Sequence, residues 1–180
     1  MSLSRRAEAA DTVAFDQVVR EHTGLVYGVV LRILGDVDRA TEVTNTAFLK
    51  AYRSFARYDR SRPLRAWLAA IAANEAISAG RAATRERAHR AELDEAAVLP
   101  DRAAALDDAQ LAREERERVR RAVAALPELY RVPIVLRYFG ELSTQEVAEA
   151  LGRPATTIGA QLLRGRALLR ASLRPLEGSS

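Results

Sequence analysis

The chain has no cysteine, one methionine and one tryptophan. Lack of cysteine excludes disulfides, thiolate metal sites and cysteine nucleophiles together. The two histidines, His22 and His89, lie far apart and fit no metal-ligand spacing. Aromatic residues make up only 6% of the chain. Long β-branched runs with a period of two are missing, so composition points to an all-α protein. No stretch approaches the roughly 18 apolar residues of a membrane span, and the opening MSLSRRAEAAD lacks an apolar leader. The expectation is a cytoplasmic protein, neither secreted nor inserted in a membrane. No glycine-rich phosphate loop occurs, and no histidine, serine or carboxylate constellation suggests catalysis. The sequence therefore predicts no enzyme, no cofactor and no small-molecule substrate.

What is present is alanine, leucine and arginine. The 180 residues are 48% hydrophobic and carry a net charge of +4. Lys50 is the only lysine, so nearly all the positive charge is arginine. Arginine suits phosphate and base-edge contacts; GC-rich coding produces the same bias without functional meaning. The charge is unevenly placed, with net +3 over residues 1–82, −3 over 83–112 and +4 over 113–180. Two basic blocks around an acidic middle predict two modules and a linker.

The first block carries helical periodicity. Phe15, Val18, Val19, His22, Leu25, Val26, Val29, Val30 and Ile33 recur at steps of three and four, with Gly24 as a candidate bend. Asp36 or Asp38 is the candidate N-cap of a second helix, whose stripe is Ala40, Val43, Ala47, Phe48 and Ala51. RYDRSRP is a polar loop, and Pro63 opens a third helix with Leu64, Trp67, Leu68, Ile71 and Ile77 on its apolar side. Trp67 fits a core position, while Tyr58, flanked by Arg57, Arg60 and Arg62, fits either base stacking or the cover of a small core. From Gly80 to about Asp108 the periodicity weakens into an alanine-rich, charged linker, partly helical or without fixed structure.

In the second block, REERERVRR has the mixed signs of a solvated helix face. Pro127 ends or kinks that helix, and Pro133 falls inside the next. Ser143-Thr144-Gln145-Glu146 is a capping box, followed by the stripe Val147, Ala148 and Leu151 and by Gly152, suited to a left-handed turn. Thr156 or Thr157 is the expected cap of a last helix with Ile158, Leu162 and Leu169 inward. Helix, tight turn and helix at this spacing predict a helix-turn-helix.

In order along the chain, LVYGVVLRILGDVDRATEVTNTAFLKAYRSF, RPLRAWLAAIAANEAIS and AALPELYRVPIVLRYFGELSTQEVAEALGRPATTIGAQLLRGRALLR resemble the extracytoplasmic-function (ECF) sigma factors of bacterial RNA polymerase. The resemblance implies a sigma region 2-like helical bundle over 1–82, an acidic linker over 83–108, a sigma region 4-like helix-turn-helix domain over 109–174 and a tail over 175–180. It implies core RNA polymerase and promoter DNA as partners, and an anti-sigma factor as a possible one. By position it places Glu42, Asn45, Phe48 and Leu49 on the polymerase-docking surface. Tyr58, Asp59, Arg60 and Arg62 fall on the loop that holds a flipped minus-ten base, with Asn74 and Arg81 beside it. Thr144, Gln145, Thr157, Gln161, Arg164 and Arg166 fall on the reader of the minus-thirty-five element.

The chain departs from the family pattern at several of these places. Glu42 and Asn45 replace the usual Asp and Gln, Ala73 replaces an Arg, and Ser78 replaces an Asp. The last helix opens Thr156-Thr157-Ile158-Gly159-Ala160-Gln161 in place of Gly-Thr-Val-basic-Ser-Arg, so two basic side chains are missing. These departures leave room for a second reading, a sigma-like regulator that binds an anti-sigma factor or polymerase without reading promoters itself. A plain dimeric helix-turn-helix regulator leaves the first block unexplained.

Overall fold

Seven helices form among the described residues, 3–91 and 108–174 of this computed structural model. They are α1 (Leu3–Leu34), α2 (Val37–Phe55), α3 (Leu64–Ala91), α4 (Asp108–Ala124), α5 (Glu128–Tyr138), α6 (Thr144–Leu151) and α7 (Ala155–Leu173). No strand occurs among the described residues, as the composition predicts. None of these helices is long and apolar enough to cross a membrane.

The first bundle is α1, α2 and α3 packed mutually. α1 runs unbroken through Gly24 and stops at Gly35, whose φ of 73° is left-handed. Asp36 then caps α2, its carboxylate accepting from the Arg39 amide at 3.1 Å. Val26, Val29, Val30 and Ile33 of α1 meet Ala40, Ala47 and Ala51 of α2 and Leu68, Ala69, Ala72, Ala73 and Ala76 of α3, all buried. With so many alanines, little side-chain volume separates the helices and their backbones approach closely. α3 continues through residues 83–91, where the sequence places the start of the linker. Ala83 is buried there, and alanine, arginine and glutamate are strong helix formers that need no apolar stripe to propagate a helix already begun. Residues 92–107, the rest of the expected linker, and the tail 175–180 lie outside the described residues.

The second bundle is α4 to α7. Pro127 precedes α5, and Pro133 is buried within α5 without ending it. The capping box forms in full. The Ser143 hydroxyl accepts from the Glu146 amide at 3.2 Å, and the Glu146 carboxylate accepts from the Ser143 amide at 2.7 Å. Gly152, with φ 61°, makes the turn into α7. The expected threonine cap of α7 does not form. Pro154 holds the N-cap position with no side-chain hydrogen bond, and the helix starts at Ala155. Proline presets the dihedral that a helix entry needs, which draws Thr156 and Thr157 into the first helical turn.

The two bundles touch. α1 packs on α4 and α5, and α3 packs on α5 and α6.

Candidate nucleic-acid interface

The loop between α2 and α3 is built on backbone turns and one carboxylate. The Tyr58 amide donates to the Phe55 carbonyl at 3.1 Å, and the Arg62 amide to the Asp59 carbonyl at 3.1 Å. Asp59 accepts from the Ser61 amide at 3.0 Å and the Ser61 hydroxyl at 2.7 Å. These two bonds favour its charged form and hold its pKa below the usual carboxylate value. The Tyr58 hydroxyl donates to the Arg62 carbonyl, closing the loop. Its ring lies 4.9 Å from the Trp67 ring and stacks on Phe55 at 6.3 Å. Phe55 in turn meets Phe15 edge-on at 5.1 Å. Tyr58 thus ends an aromatic wall at the rim of the core, and partial burial raises its hydroxyl pKa. Of the two readings of Tyr58, the cover of a core edge is realised, and its ring remains partly exposed.

Across the bundle boundary the polar links run in one direction. Arg62 pairs with Glu149. Arg65 pairs with Glu141 at 3.0 Å and Arg81 with Glu128 at 3.2 Å. The Asn74 amide donates to the Ala150 carbonyl at 3.4 Å. The Arg32 guanidinium sits 4.0 Å above the centre of the Phe139 ring, a cation–π contact, and burial lowers its pKa. In each of these contacts the first bundle supplies the donor or cation, and the second supplies a carboxylate, carbonyl or ring face. A cleft of about 410 Å³ lies at this boundary, lined by Arg62, Pro63 and Trp67 on one side and Glu146, Glu149 and Ala150 on the other. Three of the residues expected to meet DNA, Arg62, Asn74 and Arg81, are therefore engaged by the second bundle, while Arg60 is exposed.

On α2 the expected docking residues divide. Glu42, Asn45 and Leu49 are exposed, Leu49 by 49%. Phe48 is only 8% exposed. The helical period explains the split, because Thr44, Ala47, Phe48 and Ala51 follow i, i+3, i+4, i+7 and all face inward. Glu42, Asn45 and Leu49 continue instead to Tyr52, also exposed. The spacing of Tyr52 from Leu49 and Asn45 puts it on their face, and its ring also meets Phe15 edge-on at 5.2 Å.

On α7 the same logic displaces Gln161. Ile158, Gln161, Leu162 and Gly165 form the inward face, and Gln161 is 8% exposed. Its carbonyl oxygen accepts from Arg153 at 3.4 Å. The outward face carries Thr156, Thr157, Ala160, Leu163 and Arg164. Arg166 is two residues beyond Arg164, about 200° around the helix, and points toward the Tyr138 hydroxyl at 3.5 Å. It borders a groove of about 690 Å³ that includes Val119, Tyr138, Leu169 and Leu173. On α6, Thr144 is half-buried and Gln145 is exposed, donating to Glu149 at 3.2 Å.

Residues 18–86 match the family Sigma-70 region 2, and residues 116–169 match Sigma-70, region 4. The chain is 30% identical to the ECF RNA polymerase sigma factor SigW of Bacillus subtilis, over 96% of this chain and 95% of that protein. The chain belongs to the ECF sigma factors. It is a transcription initiation factor, whose partners are core RNA polymerase and promoter DNA. The RNA polymerase sigma-H factor of Pseudomonas aeruginosa is 29% identical over 97% of this sigma factor and 93% of its own length. Two solved structures share the fold. One is the sigma factor RpoE of Bartonella quintana in complex with the anti-sigma factor NepR (TM-score 0.70, 22% identity, 89% of this chain and 96% of that one). The other is CnrH in complex with the cytosolic domain of CnrY (TM-score 0.66, 24% identity, 95% and 94%). In this sigma factor the region 2 match spans α2, the Tyr58 loop and most of α3, and the region 4 match spans the helix-turn-helix.

Proposed function

We propose that the ECF sigma factor recognises promoters through two surfaces and acts without catalysis of its own, in the cytoplasm where core polymerase works. The domain boundary lies between the region 2 match, which ends at residue 86, and the region 4 match, which begins at residue 116. Glu42, Asn45 and Leu49, extended by Tyr52, form the polymerase-docking stripe, and Phe48 supports it from beneath. Tyr58 and Asp59 fix the loop, Arg60 and Arg62 grip the minus-ten strand, and Asn74 and Arg81 extend that surface along α3. Thr144, Gln145, Thr157 and Arg164 meet the minus-thirty-five element. Gln161 sets the register of α7 from within, and Arg166 lies on its flank.

The observation that carries this reading is the one-way polarity of the bundle boundary. The donors and cations that the first bundle puts into these contacts are matched to phosphates and base edges, and here they are occupied by Glu149, Glu141, Glu128 and the Ala150 carbonyl. The free protein thus covers its own minus-ten surface, and engagement with polymerase separates the two bundles.

A second reading rests on a different observation. The outward face of α7 has no basic residue before Arg164, and the amide of Gln161 is buried. A regulator held by an anti-sigma factor and reading no promoter fits that face, and an anti-sigma factor is the partner in one of the structures of similar fold. Co-purification from the native cell, followed by sequencing of the bound DNA, separates the two. Polymerase subunits together with a shared two-part DNA element support the promoter-reading role. An anti-sigma partner with no enriched DNA supports the second.

A further inference from the structure

We propose that Leu163 is a base-reading residue: with Thr157 and Ala160 it forms an apolar face on α7 that selects thymine methyl groups next to the position met by Arg164. The inference rests on the reading above, that α7 enters the major groove.

Leu163 is 59% exposed, the most exposed large hydrophobic side chain among the described residues. The helical period puts it there. Thr156, Thr157, Ala160, Leu163 and Arg164 follow steps of three and four on the side opposite Ile158, Leu162 and Gly165. The core of the second domain is complete without Leu163, so its position on the outside is not a packing requirement. An isolated exposed leucine needs no explanation. A leucine flanked by alanine and threonine methyls, on the outward face of the second helix of a helix-turn-helix, is a different matter.

The chemistry of that face narrows what it can read. α7 contains no aspartate or glutamate, so nothing on it repels a phosphate backbone. Before Arg164 its outward face also offers no long amide or guanidinium for a bidentate contact with a base edge, because Gln161 is turned inward. The one apolar group that base pairs show in the major groove is the C5 methyl of thymine, and alanine, threonine methyls and other apolar side chains are suited to it. From Thr157 to Leu163 the helix rises about 9 Å, which spans about three base pairs at 3.4 Å each. Arg164, exposed beside Leu163, supplies a guanidinium at one end of this run, suited to guanine or to phosphate. The missing basic residues at positions 159 and 161 are then not simply losses. The helix has exchanged charge and hydrogen bonding for methyl contacts.

The test uses the full chain assembled with core polymerase. Bound sites are selected from randomised duplex DNA, and in the best site each thymine of the upstream element is replaced singly by deoxyuracil, which removes only the methyl group. One to three positions are expected to bind about fourfold more weakly, the equivalent of ~0.8 kcal/mol for burial of one methyl-sized group. In Leu163→Ala the penalty at one position disappears while the others persist, and Leu163→Gln shifts the preference at that position toward adenine. If the upstream element is required but no uracil substitution matters, the methyl inference is overturned and α7 still reads DNA by other means. If deletion of the whole element changes nothing, α7 is not a DNA reader and both readings fail. If Leu163→Ala weakens binding to core polymerase in the absence of DNA, Leu163 is a protein-docking residue and the inference is wrong.

Discussion

Removing the carboxylates of the second bundle that pair with Arg62, Arg65 and Arg81 should open the free protein. The perturbation is the triple variant Glu128→Gln, Glu141→Gln and Glu149→Gln, which keeps side-chain shape and ends three ion pairs. The side chains of those pairs retain 41–70% exposure, so water screens them and each contributes about 0.2–1 kcal/mol. Taking the low end for each gives a combined effect of roughly 0.6 kcal/mol, or about threefold in the ratio of open to closed molecules. The Arg32–Phe139 contact and the packing of α3 on α6 remain, so the variant shifts the equilibrium without abolishing the closed form. The cysteine-free sequence makes the assay direct. Arg53→Cys and Ser172→Cys, both at exposed positions in different bundles, carry a donor and an acceptor dye for single-molecule energy transfer. The low-transfer population should grow about threefold in the triple variant, and salt should produce the same shift in the unmodified chain by screening. In the otherwise unmodified chain, Glu149→Arg alone should enlarge the open population, and Arg62→Glu with Glu149→Arg should return it toward the parent value. Identical distributions in the variant and the parent at all salt concentrations refute the electrostatic account of closure.

Three further outcomes follow from local geometry. A Cβ at Gly159 meets no atom of a neighbouring element within 4 Å. Gly159→Arg should therefore stabilise α7 by about 1 kcal/mol and, if the position faces phosphate, steepen the salt dependence of promoter binding by about 0.9, read from salt titrations of the holoenzyme on DNA. At Gly165 a Cβ sits 2.8 Å from Ile134 Cγ1, so Gly165→Val should crowd the α5–α7 contact and destabilise the chain by about 1–3 kcal/mol in denaturant unfolding. Hydrogen bonds from the Ser143 hydroxyl and amide lower the pKa of Glu146. A lowered native pKa means the contribution is fully present above the ordinary glutamate value, about 4.3, and is lost as pH falls through the native value. Thermal melts between pH 6 and pH 3 should show a smaller loss in Glu146→Gln than in the parent, and Ser143→Ala should cost about 1 kcal/mol at neutral pH.

Local chemistry was legible in the sequence wherever one signal acted alone. Ser143, Glu146 and Gly152 specify their cap and turn through backbone bonds a few residues long, and all three form as read. Phe48 carried two signals, an apolar stripe and a family position, and packing followed the stripe. Gln161 falls on the reading face by family position, yet the period of Ile158, Leu162 and Gly165 turns it inward, where Arg153 donates to it. The threonine cap failed because Pro154 starts the helix earlier. The bundle boundary had no local trace at all. Arg62 and Glu149 are 87 residues apart and Arg81 and Glu128 are 47 apart, and exposed charges of that kind read from sequence as solvated surface until the fold brings them together.

The most direct test of the account is run-off transcription reconstituted from core polymerase of the same organism, the purified chain and fragmented genomic DNA at low salt. The account predicts start sites absent with core alone, sharing a two-part upstream element, and weakened in Arg60→Ala and Arg164→Ala. A pattern of start sites identical to that of core polymerase alone contradicts it.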